Sequence, residues 1–192
     1  VLLRLRQLEG ATAAFPEDCY QGDYIVDLAR ELQALHGPAL LAAGEDEALM
    51  TCARHAATVI TAGMREDLLD FGVAFDRWYS EQSLYDSGRL EATLQALEAR
   101  GVVYRREGAL WFNTTAFGDE KDRVVVRGNG QTTYFASDIA YHQEKFERGF
   151  DRVIDVWGAD HHGYIPRMKA AVQASGVYPA RFEVILLQLV NL

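Results

Sequence analysis

Three polar side chains follow an apolar run in "VIDVWGADHHGY", where Gly158 breaks the run and Asp160, His161 and His162 stand side by side. Three chemistries fit these residue types. Neutral imidazoles and a carboxylate are good metal ligands. A carboxylate can also accept hydrogen bonds from a ribose while a histidine packs against a base or donates to a carboxylate, and Gly158, without a Cβ, lets backbone approach such a ligand. Finally, Asp160 can cap a helix in a polar turn with no ligand at all. Adjacent histidines diverge, and no HxH or HxxxH pattern is present, so a metal would have to recruit His142 and Asp138 as well.

A second constellation is "TYFASDIAYH", with Tyr134 placed to end a strand and Asp138 four residues later. With Ser137 as the cap, Asp138 falls in the first turn of a helix. A carboxylate there suits a guanidinium or ammonium, worth roughly 1.5–3 kcal/mol as a charge-assisted bond. The plainer reading is an acid held by the helix dipole alone. Arg167, in "GYIPR", is either a phosphate contact or an ordinary helical arginine. The chain carries no glycine-rich P-loop and no G-x-S-x-G segment.

The elements that must position these residues are readable from periodicity. Ile25, Leu28, Leu32 and Leu35 recur at steps of three and four before Gly37-Pro38, which predicts a helix. Leu49, Cys52, Ala56, Ile60 and Met64 form a second apolar stripe over about residues 45–69. The aromatic-rich "VAFDRWYSEQSLY" reads as a short strand and loop, and Leu90, Leu94 and Leu97 mark a helix ending at Gly101. Two hairpins are expected next, in "VVYRREGALWFNTT" and in "VVVRGNGQTTYF", the second turning at Asn129-Gly130. Beyond Phe135 the pattern becomes helix 138–148, strand 152–157, helix 164–175 and strand 183–190. Alternation at this spacing predicts an α/β fold with a parallel sheet. The organisation that follows is a helical segment over 1–70 and a nucleotide-binding part over 71–192, interrupted by a β-rich insertion at about 102–135.

Composition bounds the function. The 192 residues are 49% hydrophobic and 24% charged, an ordinary globular balance. Lys and Arg number 19 against 28 Asp and Glu, a formal charge of -9, so nucleic acid can be met only locally. Cys19 and Cys52 lack paired spacing, which fits a reducing, cytoplasmic setting. No apolar run reaches the ~18 residues of a membrane span. The absent initiator Met and the apolar ending "VILLQLVNL" read as a piece of a longer chain.

Taken in order, "GDYIVDLAREL", "FGVAFDRWYSEQSLY", "LWFNTTAFGDEKDRVVVR", "TYFASDIAYH" and "VIDVWGADHHGYIPRMKAA" resemble arginyl-tRNA synthetase of the bacterial type, a class I aminoacyl-tRNA synthetase. The resemblance runs from about Pro16 to the last residue. It implies part of a Rossmann-like nucleotide-binding fold, a parallel sheet with helices, joined to a helical segment and a hairpin-rich connective insertion. It also implies activation of arginine by ATP to arginyl-adenylate and transfer to tRNA(Arg), with Mg2+ carried by the nucleotide and no protein-bound cofactor or metal. Tyr134 and Asp138 match the pair that recognises the arginine side chain, and His162 matches a polar residue near its α-amino or carboxylate end. Gly158, Asp160 and His161 match the segment lining the adenosine pocket.

The family's H-x-G-H and K-M-S-K-S-like segments do not occur among these residues, so no catalytic residue is assigned here and the chain by itself is expected to be inactive. Two alternatives remain. "ADHHG" also copies the signature of a metal-dependent phosphoesterase, although the upstream aspartates that would hold two metals are missing. The other is a catalytically silent binding module derived from a synthetase.

Overall fold

Period-two alternation in "VYRR" and "ALWF" and a turn at Glu107-Gly108 build a hairpin of β1 (Val103–Arg106) and β2 (Ala109–Phe112). Both turn residues have positive φ, 53° and 74°, the twist that lets a two-residue turn match the strands. β3 (Arg123–Val126) adds antiparallel to β2, with a register irregularity at Leu110/Trp111. Val103, Leu110, Phe112 and Val125 point inward. The computed structural model describes residues 1–188 and Val190.

The second expected hairpin is corrected. The chain does turn at Asn129-Gly130, but the returning limb is a single bridge between Val126 and Thr132. Thr133 then commits its N–H to the Val125 carbonyl and its hydroxyl to the Val124 carbonyl, both at 2.9 Å. Helix α7 (Tyr134–Glu147) begins immediately after it. Tyr134 is therefore the first helical residue rather than a strand end, and Thr133 rather than Ser137 occupies the cap position. The reason is burial: Phe135, Ala136, Ile139 and Ala140 bury one helical stripe, which outweighs the β-propensity of "TTYF".

After α7, β4 (Val153–Gly158) and β5 (Phe182–Leu187) pair in parallel, joined through α8 (Ile165–Ala174). A 3-10 helix, Ala159–Tyr164, precedes α8 where a direct helix start was expected. Of the expected final strand to 190, Leu189 lies outside the described residues, and the strand ends at Leu187. One core joins these parts, with Leu94 and Leu97 of α6 (Arg89–Ala99), Phe112, Ile139, Met168 and Phe182 among its members. The expected strand in "VAFDRWYSEQSLY" does not form; those residues run irregularly into α5 (Gln82–Asp86), whose Leu84 joins the same core.

Contacts divide the chain into two units, residues 1–77 and 78–192. The first is helical: α1 (Leu2–Leu8), α2 (Tyr24–His36), α3 (Ala39–Ala42) and α4 (Glu45–Asp70). Leu5, Ala29, Leu32, Leu40, Ala48 and Cys52 form its core. The predicted stripe of α4 is only partly used. Cys52 is buried, whereas Leu49 and Met64 are each 51% exposed. At 26 residues α4 is twice the length of the 13-residue α2, roughly 39 Å against 20 Å, and its C-terminal half lies beside the start of α2, where Tyr24, Asp27 and Leu28 line an open groove with Ile60, Gly63 and Met64.

Candidate functional site

The helix start at Tyr134 changes the geometry of the site. Tyr134 and Asp138 become an i, i+4 pair, stacked one turn apart on a single face of α7. That face meets the carboxyl end of β4, where loops of a parallel sheet gather ligands. The result is a cleft of about 390 Å³ lined by Tyr134, Asp138, Trp157, His161 and Tyr164.

Asp138 is the acidic group of this cleft. Burial pushes its carboxyl above the ordinary carboxylate range, while the Tyr164 hydroxyl, donating to Oδ2 at 2.6 Å, and the attraction of His142 act in the opposite sense. Oδ1 has no hydrogen-bond partner among the described residues. Tyr164 is pushed upward in turn, by burial first and by its bond to Asp138 next. Its ring packs edge-on against Trp157 at 5.8 Å and Phe135 at 6.2 Å between centroids. The Arg167 guanidinium lies 4.6 Å over the same ring, so this arginine supports Tyr164 through a cation–π contact. Tyr134, 84% exposed, forms the outer wall.

The remaining expected residues sit on the 3-10 turn. His161 lines the cleft, with Nε2 at 3.5 Å from the exposed Asp160 carboxylate. Gly158 is the last residue of β4, with φ −63°, so left-handed backbone is not what requires glycine. A Cβ there would meet the Asp160 carboxylate, the far end of an exposed side chain that is free to turn away. His162 is exposed and turned onto its own loop, its Nδ1 at 3.1 Å from the Ala159 carbonyl, and it does not line the cleft. The cleft thus unites Tyr134, Asp138 and His161, while Gly158, Asp160 and His162 border it.

Tyr164 and Trp157 were not foreseen from the sequence as cleft residues. Nor was the polar group beneath the cleft, where His142 Nε2 bonds Asp155 Oδ2 and Lys145 donates to Asp155 Oδ1, each at 2.7 Å. Burial opposes the charge on Asp155, yet these two partners hold its carboxyl below the usual range. His142 Nδ1 is spent on the Asp138 carbonyl at 2.7 Å, so neither ring nitrogen is free to bind a metal alongside Asp138. Among the described residues, no three His, Cys, Asp or Glu side chains are grouped to hold a metal ion. No helix among them is long and apolar enough to cross a membrane.

What the cleft can do chemically is grip a cation. A carboxylate already oriented by a phenol, walled by aromatic rings, can take a planar guanidinium through its outward oxygen while the rings cover the guanidinium faces. The predicted consequence for Tyr164 is modest and specific. In the full-length protein, Tyr164→Phe frees Asp138 to rotate and weakens capture of a cationic substrate by about 0.5–1.5 kcal/mol, roughly two- to tenfold in its KM. Steady-state kinetics check this; an unchanged KM would separate Tyr164 from the site.

The description "tRNA synthetases class I (R), catalytic domain" matches residues 39–189. The arginine–tRNA ligase of Desulfosudis oleivorans is 61% identical over 192 residues, covering 100% of this chain and 34% of that protein. The arginine–tRNA ligase of Syntrophotalea carbinolica is 57% identical, with 100% and 35% covered. This chain therefore spans about a third of the length of these curated relatives. A crystal structure from Campylobacter jejuni, assigned as an arginyl-tRNA synthetase, superposes with a TM-score of 0.84 at 38% identity, over 98% of this chain and 41% of that one. Arginyl-tRNA synthetase from Plasmodium falciparum, at 11% identity and a TM-score of 0.66 over 97% of this chain and 33% of that one, shares the fold. Neither the phosphoesterase nor the silent-module alternative finds support here.

Proposed function

This chain belongs to the class I (R) tRNA synthetase catalytic-domain family, and from that membership we propose that the full-length protein is an arginine–tRNA ligase. Its reaction would be attack of the arginine carboxylate on the α-phosphate of ATP, giving arginyl-adenylate and pyrophosphate. The terminal ribose hydroxyl of tRNA(Arg) then takes the arginyl group and releases AMP. ATP enters as a substrate with Mg2+ carried by the nucleotide.

The observation that carries this reading is the half-buried Asp138 carboxylate, one oxygen held by Tyr164, inside an aromatic cleft at the carboxyl end of β4. In the proposal Asp138 pairs with the substrate guanidinium and Tyr134 covers its face. His162, on the bordering turn, serves the α-amino or carboxylate end. Gly158 gives the adenosine room beside the strand end, Asp160 accepts from the ribose hydroxyls, and His161 packs against the nucleotide from the cleft wall. A guanidinium suits this cleft better than the point charge of a lysine, because its planar group can donate to the outward carboxylate oxygen while its faces lie against aromatic rings.

Amino-acid-dependent exchange of pyrophosphate into ATP by the full-length protein, with tRNA(Arg) present, tests the proposal. Exchange with arginine and with none of the other standard amino acids is expected. Exchange driven by a different amino acid would overturn it.

A further inference from the structure

Asp138, His142 and Lys145 occupy positions i, i+4 and i+7 of α7 and share one of its faces. Asp155 meets that face from β4, three residues before the strand ends at Gly158. The four side chains are not used alike. Asp138 opens to the cleft, whereas His142 and Asp155 are buried, 5% and 6% exposed, away from any substrate. A buried carboxylate on an apolar strand is costly unless it is fully paired, and Asp155 is paired on both oxygens at 2.7 Å.

The direction of these bonds matters. Asp155 and the Asp138 carbonyl are both acceptors, so the His142 ring donates to each, at 2.7 Å from Nε2 and 2.7 Å from Nδ1. A continuous path therefore runs from the Asp155 carboxylate through the imidazole to the backbone of Asp138. Tyr164 holds the other end of the same residue, its side-chain Oδ2. Lys145 adds a second strut between α7 and β4 one turn further along.

We infer that Asp155 is a positioning residue for the cationic-substrate subsite, fixing the backbone of Asp138 through His142 and the sliding of α7 against β4 through Lys145. The inference rests on the reading of Asp138 as the guanidinium partner. Misplacement of a recognition group by a fraction of an ångström weakens binding without removing any substrate contact. In Asp155→Asn the carboxylate charge is removed while shape is preserved, and the new NH2 group either opposes the Lys145 ammonium, donor against donor, or donates to a neutral His142 ring, so the charge-assisted bonds that now tie α7 to β4 are weakened.

The test uses pyrophosphate exchange, with tRNA(Arg) present, by the full-length protein carrying Asp155→Asn, Lys145→Met or, separately, Asp138→Asn. The expected result is an arginine KM raised about tenfold in Asp155→Asn and about threefold in Lys145→Met, with kcat and the ATP KM within about twofold of wild type. A residue that only stabilised the fold would lower the active fraction, and hence kcat, and leave KM alone. Should Asp155→Asn fail to fold, the Lys145→Met measurement decides. Unchanged arginine KM in Asp155→Asn or, in its place, Lys145→Met, beside a raised KM in Asp138→Asn, overturns the positioning role alone. An unchanged KM in Asp138→Asn removes the reading beneath it.

Discussion

Asp138→Asn in the full-length protein is expected to raise the KM for arginine about 10- to 100-fold, the equivalent of about 1.5–3 kcal/mol for a charge-assisted contact, while kcat and the ATP KM stay near wild type. The substitution is nearly isosteric. Its carbonyl oxygen can still accept from the Tyr164 hydroxyl, which now bonds Asp138 Oδ2 at 2.6 Å, so the side chain stays oriented. That orientation turns an NH2 group toward the substrate. Where a carboxylate oxygen accepted from the guanidinium, two donors now face each other, and the site loses attraction and gains an unpaired polar contact.

Folding should be spared by the same change. Burial raises the Asp138 carboxyl above its ordinary range, which means the folded state disfavours its charged form relative to the unfolded chain. At neutral pH the unfolded carboxylate is ionised, so carrying that charge into the fold costs stability. A neutral amide removes the cost. Thermal unfolding of Asp138→Asn is accordingly expected at or slightly above the wild-type temperature, in contrast to its weakened binding.

The second large effect concerns the 192 residues by themselves. Expressed as an isolated chain, they are expected to show no arginine-dependent pyrophosphate exchange, at least about 10³-fold below the full-length protein. The cleft supplies a carboxylate, two phenols, an indole and one imidazole, suited to holding a cation. Stabilising the charge that develops on the α-phosphate requires donors aimed at its oxygens, and removing even one such donor from an active site costs about 10²–10³ in rate. The family segments H-x-G-H and K-M-S-K-S-like, which would supply that set, do not occur among these residues. Exchange by the isolated chain above background would show that its own side chains stabilise the transition state.

Much of the strand framework was legible because it rests on local pattern. The apolar run ending at Gly158 predicted a strand over 152–157, and β4 spans Val153–Gly158. The turn at Asn129-Gly130 was also readable, since backbone chemistry decides it. Tyr134 was misplaced onto a strand because "TTYF" has strong β-propensity, whereas the burial of Phe135 and Ile139 against the core is tertiary and outweighs it. The error mattered, since with both residues inside α7 Tyr134 stands one turn from Asp138 on the same face.

Tyr164 was beyond local reading because its partner Asp138 lies 26 residues away. Asp155 carried a usable signal that went unread. In "VIDVW", period-two alternation places it on the same face as the buried Val153, and a charge on the buried face of a strand requires partners. His142, four residues beyond Asp138 on α7, was considered for metal binding, and the structure commits its ring to that buried charge instead.

In the proposed function the Asp138 carboxylate reads the positive charge of the substrate side chain. Citrulline differs from arginine by a neutral ureido group in place of the guanidinium, so the ratio of its inhibition constant to the arginine KM isolates that charge. For the wild-type full-length protein in pyrophosphate exchange, the ratio is expected at about 10–100. In Asp138→Asn it should fall toward about 1, because the charge has lost its partner. A ratio left unchanged by Asp138→Asn would contradict the account, placing guanidinium recognition on other residues.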